Sequence, residues 1–239
     1  MRAVDISELG TILSIWAHPD DETFLCAGIM SSAAGAGQRV VCVTATRGEK
    51  GSQDPVRWPP ETMGKVREGE LLECMRILGV EDHRWLDYID GECTDVPPGE
   101  ATARIADLLD EVQPDTVLTF GPEGMTDHPD HKAVHDWVVE AFGRAAKPGA
   151  HLYFATQTQV WRDRFYDAFQ RATVFEGDTP PITPEAELAL DYGLPDEVMQ
   201  RKLDAIFAHT SQVAGLRALF GDDMIRDAHT HERFVRAAP

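Results

Sequence analysis

The sequence predicts an α/β fold of the Rossmann-like type, in which a mostly parallel sheet carries helices on both faces. Residues 11–17, 39–46 and 115–120 are short, nearly continuous apolar segments, which is typical of parallel strands buried on both faces. Each of these segments ends in a polar turn, and a helix-like segment follows it. Strands and helices that alternate in this way favour a parallel sheet.

The helices follow from their composition, their spacing and their ends. Residues 22–36 are rich in small side chains that pack closely on a sheet, and Gly35 and Gly37 end this segment. Residues 61–78 carry apolar side chains at helical spacing and stop at a glycine. Further strands are predicted at residues 84–86 and 151–160, and further helices over residues 100–112, 131–146, 196–208 and 211–220.

Length and composition bound the class of protein. A chain of 239 residues can bury one substantial core, and we expect a single domain over residues 1–239. The net charge of -19 repels phosphate groups, so we expect neither nucleic acid nor a membrane as partner. Residues 1–10 do not resemble a signal peptide, and no apolar run approaches the roughly 20 residues of a membrane helix. The four cysteines form no CxxC pair, which indicates a reducing compartment and a cytoplasmic protein.

The first polar turn contains His18, followed after one proline by the carboxylates of Asp20, Asp21 and Glu22. One of these aspartates would be enough to cap the helix that follows. Three consecutive carboxylates repel one another unless a cation lies near them. We therefore favour a metal site over a helix cap alone.

The second polar turn contains His128, Asp130 and His131, with Pro129 between the first two. A helix start accounts for the proline and the aspartate. It does not account for two histidines, because a positive charge is unfavourable at that end of a helix, whereas a neutral imidazole ligand fits there. Since ligands bind at the carboxyl ends of parallel strands, we expect the two turns to share one edge of the sheet.

A His, an Asp and a second His from these turns, with one open position for water, are typical of a catalytic zinc site. Structural zinc sites are closed and usually richer in cysteine. The same donors also suit Fe²⁺, so the cofactor expected here is Zn²⁺, with Fe²⁺ as the alternative.

The segments around both turns resemble the PIG-L/LmbE-like family of zinc-dependent N-acetylglucosaminyl de-N-acetylases. IWAHPDDE at residues 15–22 resembles the signature of the family, and MTDHPDHKAV at residues 125–134 resembles its second motif. Weaker similarities are TRGEKG, REGEL, LGV and AHTSQ, at residues 46–51, 67–71, 78–80 and 208–212.

The resemblance implies a role for each matching residue. The implied zinc ligands are His18, Asp21 and His131. Asp20 corresponds to the general base, and His128 corresponds to the group that assists as electrophile or acid. Asp130 corresponds to a residue that orients an imidazole.

Substrate contacts rest on weaker matches. The positions that correspond to sugar contacts in the family are Glu49, Arg67 and Asp90. A salt bridge on the surface of a helix explains Arg67 equally well, and a plain turn explains Asp90 equally well. Some family members carry an aromatic residue that stabilises the oxyanion where this chain has Thr126, and Tyr88 and Tyr192 are candidate replacements.

Other residues with binding chemistry have simpler explanations. His229 and His231 fit a solvated tail better than a second metal site, and His135 fits a packed or supporting role better than a ligand. His209 in the AHTSQ segment is expected to be structural or to lie at the rim of the site. Among the tryptophans, Trp58 is the best candidate for a platform on which a sugar stacks.

The function predicted from the resemblance is metal-dependent removal of the N-acetyl group from a small molecule that contains N-acetylglucosamine. The acetamido-sugar substrate would be a thiol-cofactor precursor or a natural-product conjugate. The alternatives are a zinc amidase for a non-sugar amide or a mycothiol-type conjugate, and a metal-stabilised sugar-binding protein. Asp20 and His128 weigh against the last alternative, because binding alone needs neither a base nor an acid. The sequence leaves a homo-oligomer open.

Overall fold

Seven strands form one sheet within residues 4–177 and 180–238, which the computed structural model describes. In chain order they are β1 (Ile12–Trp16), β2 (Val40–Thr46), β3 (Asp82–Tyr88), β4 (Thr116–Phe120), β5 (His151–Ala155), β6 (Leu190–Gly193) and β7 (His231–Arg236). Their order across the sheet is β3-β2-β1-β4-β5-β7-β6. Strands β1 to β5 pair in parallel, whereas β7 is antiparallel to both β5 and β6.

Nine α-helices accompany the sheet in the same part of the chain. They are α1 (Asp21–Leu25), α2 (Ala27–Gly35), α3 (Pro60–Leu78), α4 (Glu100–Val112), α5 (Gly124–Asp127), α6 (Pro129–Ala145), α7 (Gln159–Arg171), α8 (Asp196–Ala208) and α9 (Thr210–Ala228).

The order of the strands places helices on both faces. From β1 the chain proceeds outward to β2 and β3, and it then returns past β1 to β4 and β5 on the other side. Because crossovers between parallel strands are right-handed, the two directions of travel put their helices on opposite faces. Helices α2, α3 and α8 pack together in one group, and α4 packs on α6 in another. The predicted fold class is therefore confirmed.

The centre of the sheet is the core of the molecule. Every residue of β1, β2 and β4 is buried, as expected for strands covered on both faces. Trp16 and Phe120 end the adjacent strands β1 and β4, and their rings meet edge to face at 4.9 Å between centroids. The two turns that follow these strands are therefore anchored next to closely packed core side chains.

The helix predicted over residues 22–36 is in fact two helices, α1 and α2. The break lies at Cys26, whose φ of -145° is not helical. The carboxylate of Glu232 accepts hydrogen bonds from the amides of Gly28 and Ile29 at 2.7 and 2.8 Å, which satisfies the free N–H groups at the start of α2.

The ion pair that holds this break joins distant parts of the chain. Lys202 on α8 places its Nζ 2.6 Å from the carboxylate of Glu232 on β7, and both side chains are fully buried. The same ammonium group donates to the carbonyl oxygen of Phe24 at 2.8 Å. The end of α1 and the start of α2 are thus fixed by one buried pair.

The C-terminal third differs most from the sequence-based expectations. The strand predicted at residues 151–160 stops at Ala155, and Thr158 caps the start of the unpredicted helix α7. The short strands β6 and β7 were not predicted, and His231 begins β7, so the expectation of a solvated tail is wrong. Helix α9 continues beyond the predicted residues 211–220, through a kink at Gly221.

Two further observations bear on class. None of the helices among residues 4–177 and 180–238 has the length and apolar content that crossing a membrane requires. The four cysteines are all buried and without disulfide bonds.

Candidate active site

The two polar turns meet at the centre of the sheet edge. His18 follows β1 and His131 lies in the first turn of α6 after β4, and the chain leaves these adjacent strands in opposite directions. Such a change of direction opens a crevice at the carboxyl ends of the strands. The Nδ1 atom of His18 lies 3.1 Å from the Nε2 atom of His131, although 113 positions separate the two residues.

Asp21 completes a set of three donor atoms with these histidines. Its Oδ1 atom lies 3.4 Å from Nε2 of His131, and its Oδ2 atom lies 3.8 Å from Nδ1 of His18. Ligand atoms bound at 2.0–2.1 Å around a tetrahedral ion are about 3.3 Å apart, so the 3.1 Å between the two imidazoles and the 3.4 Å from Oδ1 to His131 have the spacing that a zinc-like cation requires. His128 brings a further ring nitrogen within 4.8 Å of the two imidazoles.

The second nitrogen of each ring is held by an acceptor. Nε2 of His18 lies 3.1 Å from the carboxylate of Asp90 and 3.2 Å from that of Asp130. Nδ1 of His131 donates to the carbonyl oxygen of Gly124 at 2.8 Å. With a cation at the shared point, each ring would keep its hydrogen on the far side and turn a lone pair to the metal, as imidazoles that bind metals do. The donor set therefore fits a divalent cation.

The charges around the shared point favour a cation. Although burial opposes it, the carboxylates of Asp130, Asp90 and Asp21 raise the pKa of His18 to about 10. Burial raises the pKa of Asp21 to about 6. Burial and the neighbouring imidazoles hold the pKa of His131 well below its usual value, so its ring is neutral and able to act as a ligand.

Asp20 stands beside the donor set without joining it. Its backbone φ of 113° lies in the left-handed region, which turns the residue out of the line of the helix that follows. One carboxylate oxygen accepts a hydrogen bond from Arg67 at 3.1 Å, and the side chain lines the cavity. Burial raises the pKa of Asp20 to about 6, and Arg67 opposes this rise. A carboxylate in this position is placed to take a proton.

Arg67 is buried, with 4% of its surface exposed, so the alternative of a surface salt bridge is wrong. Its guanidinium group donates to Asp20 and to the carbonyl oxygens of Pro19 and Gly48. Gly48 has a φ of 64°, and a Cβ atom there would collide with the guanidinium group. The loop after β2 and the turn after β1 are therefore joined through this one arginine.

His128 caps α6 and keeps one nitrogen available. Its Nδ1 accepts a hydrogen bond from the amide of Asp130 at 3.1 Å. The ring hydrogen is therefore on Nε2, which lies 3.6 Å from the carboxylate of Glu176, and the residue lines the cavity. His128 can thus act as a hydrogen-bond donor through Nε2 while its other nitrogen holds the turn.

Asp130 orients His18 rather than its neighbour His128. Its carboxylate is fully buried, contacts Nε2 of His18 and accepts hydrogen bonds from the amides of Gly91 and Cys93 at 2.6 and 3.2 Å. Although burial opposes it, the contact with His18 holds the pKa of Asp130 below its usual value. The sequence did not indicate which imidazole Asp130 orients, and in the structure α6 turns this side chain towards β1 and the loop after β3.

Of the three predicted sugar contacts, Arg67 and Asp90 line the cavity and Glu49 is not among the residues that line it. Glu49 accepts a hydrogen bond from the amide of Asp90 at 3.2 Å. Asp90 in turn accepts one from the amide of Lys50 at 2.8 Å, and its contact with His18 holds its pKa well below its usual value despite burial. Asp90 is therefore more than a turn residue, and Glu49 supports it.

The cavity has a volume of about 520 Å³, which is in the range of small-molecule sites. Its outer wall is apolar and comes from α1, α7, the segment after α7 and α9: Phe24, Trp161, Phe169, Val174, Phe175 and Leu216. Sequence reasoning missed this wall and favoured Trp58, which does not line the cavity. The aromatic spacing at residues 161, 165 and 169 could have indicated a helix face, but not what that face covers.

Neither tyrosine replaces an aromatic residue at position 126. Tyr88 packs on Trp137, and the hydroxyl group of Tyr192 hydrogen-bonds to Ser32 at 2.9 Å. Both lie outside the set of residues that line the cavity. Thr126 itself faces Nδ1 of His131 at 3.2 Å.

The sequence of this chain is similar to a family model and to the sequences of known enzymes. The family model for PIG-L, GlcNAc-PI de-N-acetylase, matches residues 13–142. The 1D-myo-inositol 2-acetamido-2-deoxy-alpha-D-glucopyranoside deacetylase of Salinispora arenicola is 31% identical over 235 residues, which cover 87% of this chain and 74% of the relative. The enzyme of the same name from Kineococcus radiotolerans is 36% identical over 167 residues, which cover 58% of this chain and 46% of the relative.

A solved structure agrees on the fold. The N,N'-diacetylchitobiose deacetylase from Pyrococcus horikoshii superposes with a TM-score of 0.71 at 21% identity, over 97% of this chain and 85% of that one. At that identity the likeness is one of architecture. Enzymes of the matched family depend on a metal, in keeping with the donor set around His18. The family model matches the segment that contains both histidine turns, and the relative from Salinispora arenicola aligns along most of this chain. The chain therefore belongs to the PIG-L family of GlcNAc-PI de-N-acetylases.

Proposed function

We propose that this protein is a metal-dependent deacetylase that hydrolyses the acetamide group of a small molecule containing N-acetylglucosamine. The observation that carries the proposal is the meeting of His18, Asp21 and His131 on one cavity, which the side chains of Asp20 and His128 also line. The names of the relatives agree with this reaction.

His18, Asp21 and His131 would hold the cation. A bound divalent cation would supply Lewis-acid polarisation of the acetamide carbonyl group and would make an attacking water more acidic. We propose Zn²⁺ for this role, because two imidazoles and one carboxylate with a tetrahedral spacing suit it, and Fe²⁺ is the alternative.

Asp20 would accept the proton of the attacking water. Arg67 fixes one of its carboxylate oxygens, which leaves the other free for proton transfer. Its pKa of about 6 keeps it mostly ionised at neutral pH and still basic enough to take a proton. The same proton can then go to the departing amine, which must be protonated before it leaves.

His128 would stabilise the oxyanion that forms as the carbonyl carbon becomes tetrahedral. The required group is a donor aimed at the developing charge. The Nε2 hydrogen of His128 meets this requirement while its Nδ1 is occupied by the amide of Asp130. Asp130 would contribute indirectly, by fixing the ring of His18.

The outer part of the cavity favours a substrate with an uncharged aglycone. Among the described residues, Lys50 and Arg67 are the lysine and arginine side chains that line the cavity. Lys50 is paired with Glu92 at 2.9 Å, and Arg67 is held by Asp20 and two carbonyl groups. A phosphate group would thus lose its hydration without gaining a free cation. An inositol or a natural-product conjugate fits this surface, and we propose Asp90 as the sugar contact.

The sheet, the cysteines and the net charge support three further proposals. We propose one domain over residues 1–239, since one sheet contains strands from both ends of the described chain. We propose a cytoplasmic location, because four buried free thiols suit a reducing compartment. The net charge of -19 argues against nucleic acid as a partner.

Release of acetate tests the function. The protein loaded with Zn²⁺, or with Fe²⁺ under anaerobic conditions, is incubated with a panel of N-acetylglucosamine conjugates and with non-sugar acetamides. We expect acetate and a free amine from uncharged conjugates, beginning with the inositol conjugate that the relatives' names contain. Cleavage of non-sugar amides alone would favour the amidase alternative. Saturable binding without acetate would favour a sugar-binding protein.

A further inference from the structure

A buried polar cluster lies directly behind the turn that carries Asp20. It consists of Glu22, Thr23, Cys74 and His209, and none of these side chains takes part in the proposed chemistry. All four residues are fully buried. Burying so many polar groups is costly unless their hydrogen bonds are made, so their arrangement calls for an explanation.

Glu22 connects this cluster to Asp20. One of its oxygens, Oε1, lies 3.4 Å from Nε2 of His209 and accepts a hydrogen bond from the hydroxyl group of Thr23 at 2.7 Å. The same hydroxyl group lies 3.0 Å from Nε2 of His209. The other oxygen, Oε2, accepts a hydrogen bond from the backbone amide of Asp20 at 3.2 Å. A continuous path of contacts therefore runs from His209 to the backbone of the proposed base.

The backbone of Asp20 needs such support. A φ of 113° is unfavourable for a residue with a Cβ atom. The conformation persists where its surroundings fix it from more than one side. Arg67 holds the carboxylate of Asp20 from one side, and Glu22 holds its amide from the other.

The charges follow the same division. Asp20 faces Arg67, and Asp21 faces the two imidazoles of the donor set. Within the described part of the chain, His209 is the basic side chain that forms an ion-pair contact with Glu22. Without His209 the buried carboxylate would keep its contact with the amide of Asp20 only at a considerable cost in free energy.

His209 itself is retained at a cost. Its Nδ1 atom is buried and has no hydrogen-bond partner among the described residues. An apolar side chain of similar shape would fill the space without this cost. The presence of histidine therefore indicates that its Nε2 contacts are useful.

The AHTSQ segment explains how His209 is held in place. Ser211 donates to Glu70 on α3 through its amide and its hydroxyl group, at 2.7 and 2.6 Å. Gln212 donates to the carbonyl oxygen of Gly51 at 3.1 Å. Because α3 also carries Arg67, both supports of Asp20 are fixed to the same helix.

We infer that His209 is a positioning residue for the deacetylation, and that it acts through Glu22 to hold the backbone of Asp20 in its working conformation. The inference rests on the proposed function for its kinetic consequences. Its structural content, a path of contacts from His209 to the amide of Asp20, stands independently of the reaction.

The kinetic test compares two substitutions with different hydrogen-bonding ability. His209→Leu removes the Nε2 donor, and we expect kcat to fall at least tenfold while KM stays within twofold and the metal content is unchanged. His209→Gln keeps an N–H donor at a similar reach and should retain kcat within about fivefold of the native protein. His83→Leu, which alters a half-buried histidine at the start of β3, should lower stability and leave kcat unchanged. Equal kcat in His209→Leu and the native protein, or equal losses in the Leu and Gln variants, would overturn the inference.

A double-mutant cycle covers the case in which the single variants are less stable. If His209 acts through Glu22, then His209→Leu combined with Glu22→Gln should lower kcat little more than either change alone. Independent, multiplicative losses would overturn the inference. A crystal structure of the His209→Leu variant separates this inference from the proposed function, since it needs no substrate. We expect the bond from the amide of Asp20 to Glu22 to be lost and φ to leave the left-handed region, and an unchanged turn would refute the inference.

Discussion

Replacing Asp20 by Asn tests the assignment of the base most directly. Asn has nearly the same shape, and its side-chain oxygen can still accept the hydrogen bond that Arg67 donates at 3.1 Å. The substitution removes the ability to take a proton and leaves the donor triangle of His18, Asp21 and His131 unchanged. It removes one of three adjacent negative charges, which is stabilising, and it also removes the ion pair of the buried Arg67, which is destabilising, so we expect a net loss of fold stability of no more than about 2 kcal/mol.

The expected kinetic loss is large. A positioned general base typically contributes about 10²–10⁴ in rate. At about 1.36 kcal/mol for each factor of ten, this corresponds to roughly 2.7–5.4 kcal/mol of transition-state stabilisation. Because Asp20 makes its contacts through Arg67 and its own backbone, the loss should fall on kcat and not on substrate affinity.

The assay is acetate release at saturating substrate, accompanied by metal analysis of the same sample. Glu176→Gln is the matched control, because Glu176 is a second carboxylate that lines the cavity and lies 3.6 Å from His128. We expect this control to change kcat less than threefold. Loss of the metal in parallel with activity would make Asp20 a ligand instead of the base. A kcat above one tenth of the native value would show that another group accepts the proton.

Four further outcomes are expected from the structure. Lys202→Met leaves the fully buried carboxylate of Glu232 without its cation, so chemical denaturation should show that the free energy of unfolding falls by about 3–5 kcal/mol. The double variant with Glu232→Gln should recover part of this stability. A fall of less than about 1 kcal/mol in the single variant would contradict the reasoning. Burial lowers the pKa of His83 to about 4, so the unfolded chain takes up a proton near pH 6.5 that the folded chain takes up only near pH 4. The free energy of unfolding is therefore highest above pH 6.5 and falls as the pH is lowered to 4. The expected fall is about 2 kcal/mol, after allowance for the partly exposed ring. His83→Gln should flatten this part of the profile of stability against pH, measured by thermal denaturation. A chelator should abolish acetate release and lower the melting temperature, and added Zn²⁺ should restore both, since a ligand of the folded state stabilises it. Val174→Lys should raise kcat/KM for N-acetylglucosamine 1-phosphate about tenfold relative to an uncharged glycoside, and an unchanged ratio would place the aglycone elsewhere.

The central strands, and the two histidine turns that follow β1 and β4, could be predicted from the sequence. The apolar segments that became β1, β2 and β4 are buried on both faces, so their composition alone distinguishes them from half-exposed strands. Adjacent parallel strands end at the same edge, and this brought His18 and His131 within 3.1 Å as expected.

Long-range partners could not be predicted in the same way. Asp130 lies 112 positions from His18, and nothing in the local pattern separates this imidazole from the adjacent His128. Strand β6 lies at the edge of the sheet and has four residues, and the neighbouring strand β7 alternates in burial, so neither has a continuous apolar signal. His209 stood in a recognised motif, but its role depends on a contact with Glu22, which arises only because the junction of α8 and α9 lies against α1.

Because Lys202 and Glu232 fix the end of α1 and the start of α2, a working enzyme must include the part of the chain that contains both residues. Every side chain that the two histidine motifs supply lies inside the segment that matches the family, residues 13–142. The turn that presents three of them is nevertheless held by Lys202 and Glu232, which lie 60 and 90 positions beyond residue 142. A fragment ending at residue 142 would thus carry the complete set of reactive groups and lack the parts that hold them at working distances.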